Sequence, residues 1–269
     1  MTNKADKDPE YLSTLERGLR VLRAFDEQNP EMRLSEVAAK ADLSPAVARR
    51  CLNTLVSLGY VGQHGRNFLL KPEVLAFGSA FMSSMNIEQV VAPSLQRLRD
   101  ETGDSASMAV LAGEDILYLA HVSTRRQIRL GAAAGTRFPL HATSMGKAIL
   151  AFRPDAEIEA FLASADLRSF TPNTITRPDA LRERLLQTRA QGYDSTCEEL
   201  DMGIISLAVP IFDARHNSIA AINCSTTTGR TNPQEMIATR LDDLRAAASE
   251  IQQALRRWPA LLHAMETSP

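Results

Sequence analysis

Five polar residues between positions 49 and 57 can reach a partner from one side of a helix. Arg49, Arg50, Asn53, Thr54 and Ser57 stand at offsets 0, 1, 4, 5 and 8, which a 3.6-residue period gathers on one face. An arginine can hold guanine O6 and N7 with two hydrogen bonds, and an asparagine can hold adenine N6 and N7 in the same way. Threonine and serine hydroxyls suit phosphates or base edges. Ala48, Leu52, Leu55, Val56 and Leu58 fall on the other side and are expected to face a core. A merely solvated helix face would have the same composition, so the surroundings must decide. Residues 44–71 contain four basic side chains (Arg49, Arg50, Arg66, Lys71) and no Asp or Glu, in a chain whose net charge is −2. The molecule as a whole has no strong attraction to nucleic acid, whereas this stretch is a local basic footprint.

The elements around that face must present it outward. Ser44 is placed to cap the helix and Pro45 to open it, where a missing N–H costs nothing. Gly59 ends it. Ser13 or Thr14 can cap an earlier helix burying Leu15, Leu19, Leu22 and Phe25, closed by Asn29-Pro30. A short second helix spans 34–41, and Asp42-Leu43 turns into the third. Tyr60-Val61 and Phe68-Leu69-Leu70 flank a polar tip at 63–67, which reads as a small hairpin with Arg66 at its end. Three helices and a hairpin form a winged helix-turn-helix, the unit that lays its last helix in the major groove of DNA. The expected DNA contacts are Ser44, Val47, Arg49, Arg50, Asn53, Thr54, Ser57 and Arg66.

After position 86 the pattern mixes strands with helices. Residues 73–85 read as a linker helix and 87–102 as one amphipathic helix. Residues 107–112 and 116–121 form a hairpin about Gly113-Glu114-Asp115, with a further strand at 127–130. Helices follow at 144–152, 155–163 and 179–191, then strands at 205–212 and 218–226. A last helix runs from 233 to about 258, with Ile237, Leu241, Leu244, Ala248, Ile251 and Leu255 at alternating spacings of four and three. The organisation expected is a mobile tail at 1–13, a winged helix-turn-helix at 14–72, a linker helix at 73–86, an α+β domain at 87–260 and a tail at 261–269.

Length and composition bound the rest. The chain has 269 residues, comfortable for two domains, and a hydrophobic content of 44%, enough for two cores. Cys51, Cys197 and Cys224 are scattered, and an odd count without CxxC fits a reducing cytoplasm better than a disulfide framework. Cys224 reads as core packing rather than as a reactive thiol. The N-terminus lacks the apolar segment of a signal peptide, and no run approaches the roughly 18 apolar residues of a membrane helix. A cytoplasmic protein without membrane contact is expected. Gly146-Lys147 is no phosphate loop, because His141 stands five residues before Gly146 and Ala148 follows Lys147. HExxH and GxSxG are absent, and the cysteines and histidines show no metal-ligand spacing. No enzyme activity, metal or cofactor is expected.

The segments Ser13-Thr14-Leu15-Glu16-Arg17-Gly18-Leu19-Arg20-Val21-Leu22, Leu34-Ser35-Glu36-Val37-Ala38 and Thr54-Leu55-Val56-Ser57-Leu58-Gly59-Tyr60-Val61 resemble IclR-family transcriptional regulators. Ala48-Arg49-Arg50-Cys51-Leu52 resembles the branch controlling protocatechuate and 4-hydroxybenzoate catabolism. In the second half, Leu140-His141-Ala142-Thr143-Ser144-Met145-Gly146-Lys147-Ala148 and residues 203–211 and 220–225 are similar to the same family. The resemblance implies a GAF-like effector-binding domain, a central antiparallel sheet with a pocket on one face. It places ligand contacts at Ser144, Met145, Thr196, Ser206, Asn223 and Ser225.

The residues themselves are compatible with such a pocket. A helix starting near Ser144 offers backbone N–H groups that suit a carboxylate. Asn223, Ser225 and Thr227 share one side of a strand, although ordinary exposed strand polarity would look the same. One of Arg125, Arg126, Arg129 and Arg137 could pair with a ligand carboxylate, or all four could line a solvated loop. His141 could touch ligand or pack against the helix. The resulting expectation is a DNA-binding regulator that responds to a small organic acid, an aromatic acid or its ring-cleavage product. It would bind a pseudo-palindromic operator as a dimer or a dimer of dimers. A small-molecule-binding protein or enzyme with an incidental helix-turn-helix is the alternative. A second domain that serves only dimerisation is another.

Overall fold

The structure, a computed structural model, describes residues 10–124 and 131–265. The chain divides into two compact units, Met1–Phe81 and Met82–Pro269.

The first unit runs α1 (Ser13–Arg23), β1 (Glu31–Arg33), α2 (Leu34–Lys40), α3 (Pro45–Ser57), β2 (Val61–His64) and β3 (Asn67–Leu70). A 3-10 turn (Pro72–Val74) leads into α4 (Leu75–Ser84). The core is small: Val21, Phe25, Met32, Val37, Leu52, Leu55, Val61 and Phe68 meet in it. Ser44 caps α3 by accepting the Val47 N–H at 3.4 Å, and Pro45 opens the helix. Gly59 (φ 84°) closes it in the left-handed region, with the Tyr60 N–H on the Leu55 carbonyl and the Gly59 N–H on that of Val56. Strand β1 had no signature in the sequence. It joins β3 to make a three-stranded sheet of order β1-β3-β2. Leu15 and Leu19, expected inside, lie 61% and 47% exposed, because α1 turns Val21 and Ala24 to the core instead. Val56 and Leu58 are likewise exposed, since the buried side of α3 is Ala48, Cys51, Leu52 and Leu55.

The second unit opens with α5 (Ile87–Val90) and α6 (Ala92–Thr102), where one helix was expected. Pro93 explains the break. Inside a continuous helix its ring would meet the carbonyl four residues back and it could donate no hydrogen bond, so it starts a new helix instead. Next come β4 (Ser105–Ala112), β5 (Asp115–Val122), β6 (Arg137–Pro139), a 3-10 turn (Leu140–Ala142) and α7 (Ser144–Leu150). The chain continues through α8 (Asp155–Ser164), α9 (Pro178–Gln191), β7 (Asp194–Cys197), β8 (Ile204–Phe212), β9 (Ser218–Thr227), α10 (Pro233–Arg256) and α11 (Pro259–Met265). The six strands pair antiparallel in the order β6-β5-β4-β9-β8-β7. Helix α7 covers one face of this sheet and α6 and α10 pack on it from elsewhere in the same unit.

The fold is α+β, as expected. Strands β6 and β7 escaped the sequence reading because they are short. The anticipated strand at 127–130 lies outside the described residues. Part of the anticipated tail at 261–269 is helical, in α11, with Leu261 and Met265 buried.

Helix α7 is buried over its whole length. Its third residue is Gly146, and the preceding 3-10 turn folds back so that Leu140 backbone lies directly against it. A Cβ at Gly146 would overlap the Leu140 carbonyl, a group that cannot swing aside. Gly146→Ala is expected to cost about 1–3 kcal/mol as an overpacking change. Thermal unfolding should register it as a clear drop in Tm, and an unchanged Tm would show that the turn yields.

Candidate functional site

Two places in the structure gather the residues singled out above. The first is the outer face of α3. Arg49, Arg50, Asn53, Thr54 and Ser57 are all exposed on it, and Arg66 is exposed at the β2–β3 turn. Arg49, Arg50 and Arg66 enter no ion pair among the described residues. Thr54 and Ser57 donate their hydroxyls to the Arg50 and Asn53 carbonyls, both at 3.0 Å, which fixes their rotamers while leaving oxygen lone pairs outward. Ser44 is exposed at the helix start. Val47 is not part of the outer face, for it is half-buried against the core. One acid joins this region that the sequence stretch did not show. Strand β1 brings Glu31 beside the hairpin, 3.4 Å from His64 Nδ1 and 3.4 Å from Asn67 Nδ2.

The second place is the face of the six-stranded sheet under α7. Cross-strand register sets polar residues in two rows there. Ser105, Ser225, Ser206 and Thr196 form one, and His121, Ser107 and Asn223 the next. Beyond them the same face turns apolar, with Ala109, Tyr118, Ala208 and Ala221 packed against Met145, Ala148 and Ile149 of α7. Ser144 Oγ lies 2.8 Å from Ser206 Oγ, which accepts from Asn223 Nδ2 at 2.9 Å and stands 3.3 Å from the Cys224 carbonyl. Ser107 Oγ lies 2.9 Å from His121 Nδ1. Ser144, Ser206 and Asn223 are thus brought into direct contact, and Thr196 and Ser225 flank Ser206. Met145 belongs to the apolar part of the same face.

Ser107, Tyr118 and His121 were missed by the sequence reading. Strict alternation would send Tyr118 and His121, three residues apart, to opposite faces of the sheet. A bulge interrupts the count: Met108 pairs with Ala120 and Ala109 with Tyr118, leaving Leu119 extra. Both side chains consequently face α7. The signal available in the sequence was the alternation of Ser105 and Ser107 in an otherwise apolar strand.

Tyr118 and His121, the titratable side chains beside Ser107 and Asn223, are both held neutral. Burial pushes the Tyr118 phenol far above its usual range, against hydrogen bonding from Asn223 and Ser107, so it stays protonated. Burial lowers His121 and holds it uncharged near neutral pH. His141 is also lowered, mainly by burial; its Nε2 lies 3.0 Å from the Arg168 carbonyl and its ring packs by Phe170, so it is a packing residue. The start of α7 offers less to an anion than the sequence suggested. The helix has seven residues, and Thr143 Oγ1 already accepts the Gly146 N–H at 3.1 Å. Arg137 pairs with Asp115 at 3.1 Å on the exposed edge strand. Arg125, Arg126 and Arg129 lie outside the described residues.

One helical turn beyond Ser144, Lys147 is completely buried. Its Nζ reaches Glu199 Oε2 at 2.6 Å, the His141 carbonyl at 3.3 Å and Asp194 Oδ1 at 3.9 Å. Asp194 also takes Arg184 Nε at 2.8 Å and the Thr188 hydroxyl at 2.7 Å. Burial pushes the Glu199 carboxyl up, and the adjacent Lys147 ammonium works against it. Among the described residues no group of His, Cys, Asp and Glu is arranged to hold a metal ion. No described helix is long and apolar enough to cross a membrane.

Comparison with known proteins agrees with this architecture. Residues 14–65 match the model of the IclR helix-turn-helix domain, and 79–253 that of the bacterial transcriptional regulator IclR C-terminal domain. The chain is 38% identical over 245 residues to the Pca regulon regulatory protein of Pseudomonas putida, covering 91% of this chain and 84% of that one. It is 33% identical over 249 residues to the p-hydroxybenzoate hydroxylase transcriptional activator of Acinetobacter baylyi, covering 90% and 92%. A solved IclR homolog from Microbacterium hydrocarbonoxydans, complexed with 4-hydroxybenzoate, shares the fold with a TM-score of 0.72 at 24% identity, over 91% of this chain and 99% of that one.

Removing Lys147 alone strands the buried Glu199 charge, so Lys147→Met should cost about 3–5 kcal/mol. Adding Glu199→Gln should recover part of that loss, because the uncompensated carboxylate is then gone. Denaturant unfolding of the single and double variants measures both, and a double variant no more stable than the single would contradict the assignment.

Proposed function

The chain belongs to the IclR family of bacterial transcriptional regulators, and from that premise we propose that it reads an operator through α3 and responds to a small aromatic acid, or its ring-cleavage product, held under α7. The observation that carries the first half is the α3 face. Arg49, Arg50 and Asn53 project from a helix whose other side is buried, with Arg66 at the wing tip and none of these arginines in an ion pair among the described residues. In the major groove the arginines and Asn53 would read base edges, while Thr54, Ser57 and Ser44 would hold phosphates. Half-buried Val47 positions the helix.

The second half is supported by the enclosed polar rows on the sheet, in particular the contact of Ser144, Ser206 and Asn223. Thr196 and Ser225 extend that surface and Met145 closes its apolar side. The aromatic choice is supported by two regulators resembling this chain. One activates p-hydroxybenzoate hydroxylase by its name, and the other was crystallised with 4-hydroxybenzoate.

Self-association is supported by the first unit. Leu15, Leu19, Leu58 and Phe77 are left exposed around a groove of about 470 Å³ that Tyr60 and Phe77 close by stacking at 5.3 Å. A second copy covering these side chains would bring two recognition helices to a two-fold-symmetric operator.

Three outcomes are expected. Arg49→Ala and Arg50→Ala should each weaken binding to DNA from upstream of the protein's own gene by about 1–3 kcal/mol, and the wild-type affinity should fall steeply with salt. Gel shifts over a salt series measure both, and undiminished affinity in both variants removes α3 from the reading. Leu15→Glu with Leu19→Glu should lower the mass seen by sedimentation and weaken operator binding together. A thermal-shift panel of aromatic and dicarboxylic acids should contain a stabilising member, and a uniformly flat panel would leave the second unit without a ligand.

A further inference from the structure

We propose that the cleft between α10 and the free end of β8 is a second ligand site, which takes a small organic dianion with an acid group at each end, held between Arg245 and Arg256. It lies apart from the face under α7 and does not depend on the effector reading given above.

Two arginines on one side of α10 carry no counter-charge. Arg245 and Arg256 are both exposed, and their separation of three helical turns brings them to the same side over ~16 Å of the axis. The Arg256 guanidinium has no hydrogen bond or ion pair among the described residues. Arg245 donates from Nη2 to the Gln191 carbonyl at 3.3 Å and enters no ion pair among them either. The helix dipole accounts for a cation in the last turn, where Arg256 stands, but not for Arg245 in mid-helix. Acids are not scarce nearby. The second unit carries 22 Asp and Glu against 19 Lys and Arg over residues 82–269, and Glu250 of the same helix pairs with Arg97 instead.

Both guanidinium side chains line a cleft of about 340 Å³, and none of its described lining residues is acidic. That is the size of a small-molecule site. Its floor is apolar, from Val209, Pro210, Phe212 and Ala248, and Ser249 and Gln252 stand in its wall. Val209 alternates along β8 with Ala208, which packs on α7, so Val209 points to the opposite side of the sheet. Strand β7 pairs with β8 only as far as Ala208, which leaves residues 209–212 without a strand beyond them. An added peptide strand finds little there. Pro210 has no N–H to give, and the Phe212 N–H is already on Gln252 Oε1 at 3.4 Å. Recognition in this notch falls to side chains. A guanidinium holds a carboxylate or a phosphate with paired hydrogen bonds. One at each end of the cleft calls for an acid at each end of the ligand, and the apolar floor between them suits the body that joins the two. A monoanion leaves one arginine as it was.

Titration calorimetry of the full chain at low ionic strength tests this, with adipate and a hexose bisphosphate as two-ended probes and hexanoate as the one-ended control. At least one two-ended probe is expected to bind about 10-fold or more tightly than hexanoate. Whichever of the two binds more tightly identifies the acid groups as carboxylate or phosphate. Arg245→Gln and Arg256→Gln should each weaken that probe by about 10-fold, and together they should bring it to the level of hexanoate. Thermal unfolding confirms that the variants are folded. Ser249→Trp fills the cleft without removing a charge; it should block the probe as well, and it carries the test if an arginine variant does not fold. Equal binding of one-ended and two-ended acids, binding undiminished in the folded double variant or in Ser249→Trp, or no binding of either two-ended probe by the wild-type chain would each overturn the proposal.

Discussion

A lysine ammonium with no solvent contact is the constraint around which the larger unit is arranged. An unpaired ammonium buried in that interior would be costly, and a carboxylate in contact offsets that cost. Glu199 supplies it, and the His141 carbonyl and Asp194 complete the surroundings. These partners come from the 3-10 turn, from β7 and from the loop after it, while Arg184 and Thr188 of α9 fix Asp194 in turn. Segments distant in sequence are thereby held to one side of α7. Ser144 lies three residues earlier on the same helix face, so the ion pair also sets where Ser144 meets Ser206. The loop bearing Glu199 is tied down independently, through the Thr174 hydroxyl on the Glu199 carbonyl and the Gly203 N–H on Glu198 Oε1 at 2.9 Å.

The two candidate surfaces rest on opposite physics. On α3 full charges stand in water, where desolvation costs little and a polyanion can be met by releasing counterions. Under α7 the buried charges of Lys147, Glu199 and Asp194 are spent on one another, and selectivity in the proposed site would come from the direction of individual hydrogen bonds in a low-dielectric space. In the proposed reading such a site would discriminate by leaving the wrong ligand's partners unmet, and the helix face by matching base edges.

Much of this was legible in the residues. The face of α3, its serine cap and its glycine stop follow from helical periodicity and from what those residue types do at helix ends. Ser144, Ser206 and Asn223 came from the resemblance to a known family, and the structure brings them into contact. What escaped depended on tertiary geometry. Strand β1 is only three residues long, so no periodicity could reveal it or the arrival of Glu31 beside the hairpin. The bulge at Leu119 altered which residues share a face, which concealed Tyr118 and His121. Leu15, Leu19 and Leu58 have the spacing of core residues but lie on a side of their unit that no described segment fills. Periodicity reports that a face is apolar and is silent on what covers it.

The close approach of Leu140 to Gly146 also bears on how ligand preference could change by mutation. Every missense change in a glycine codon adds at least a β-carbon, and here that atom has nowhere to go. This one position of the helix is therefore closed to gradual variation, since each first step at Gly146 overpacks the turn against it. The sheet is different. Ser107, Asn223 and Ser225 stand on strands whose backbone pairing is indifferent to side-chain identity, so they can be exchanged one at a time. If the face under α7 holds the effector, the sheet offers more room for stepwise change than the helix position packed on Leu140.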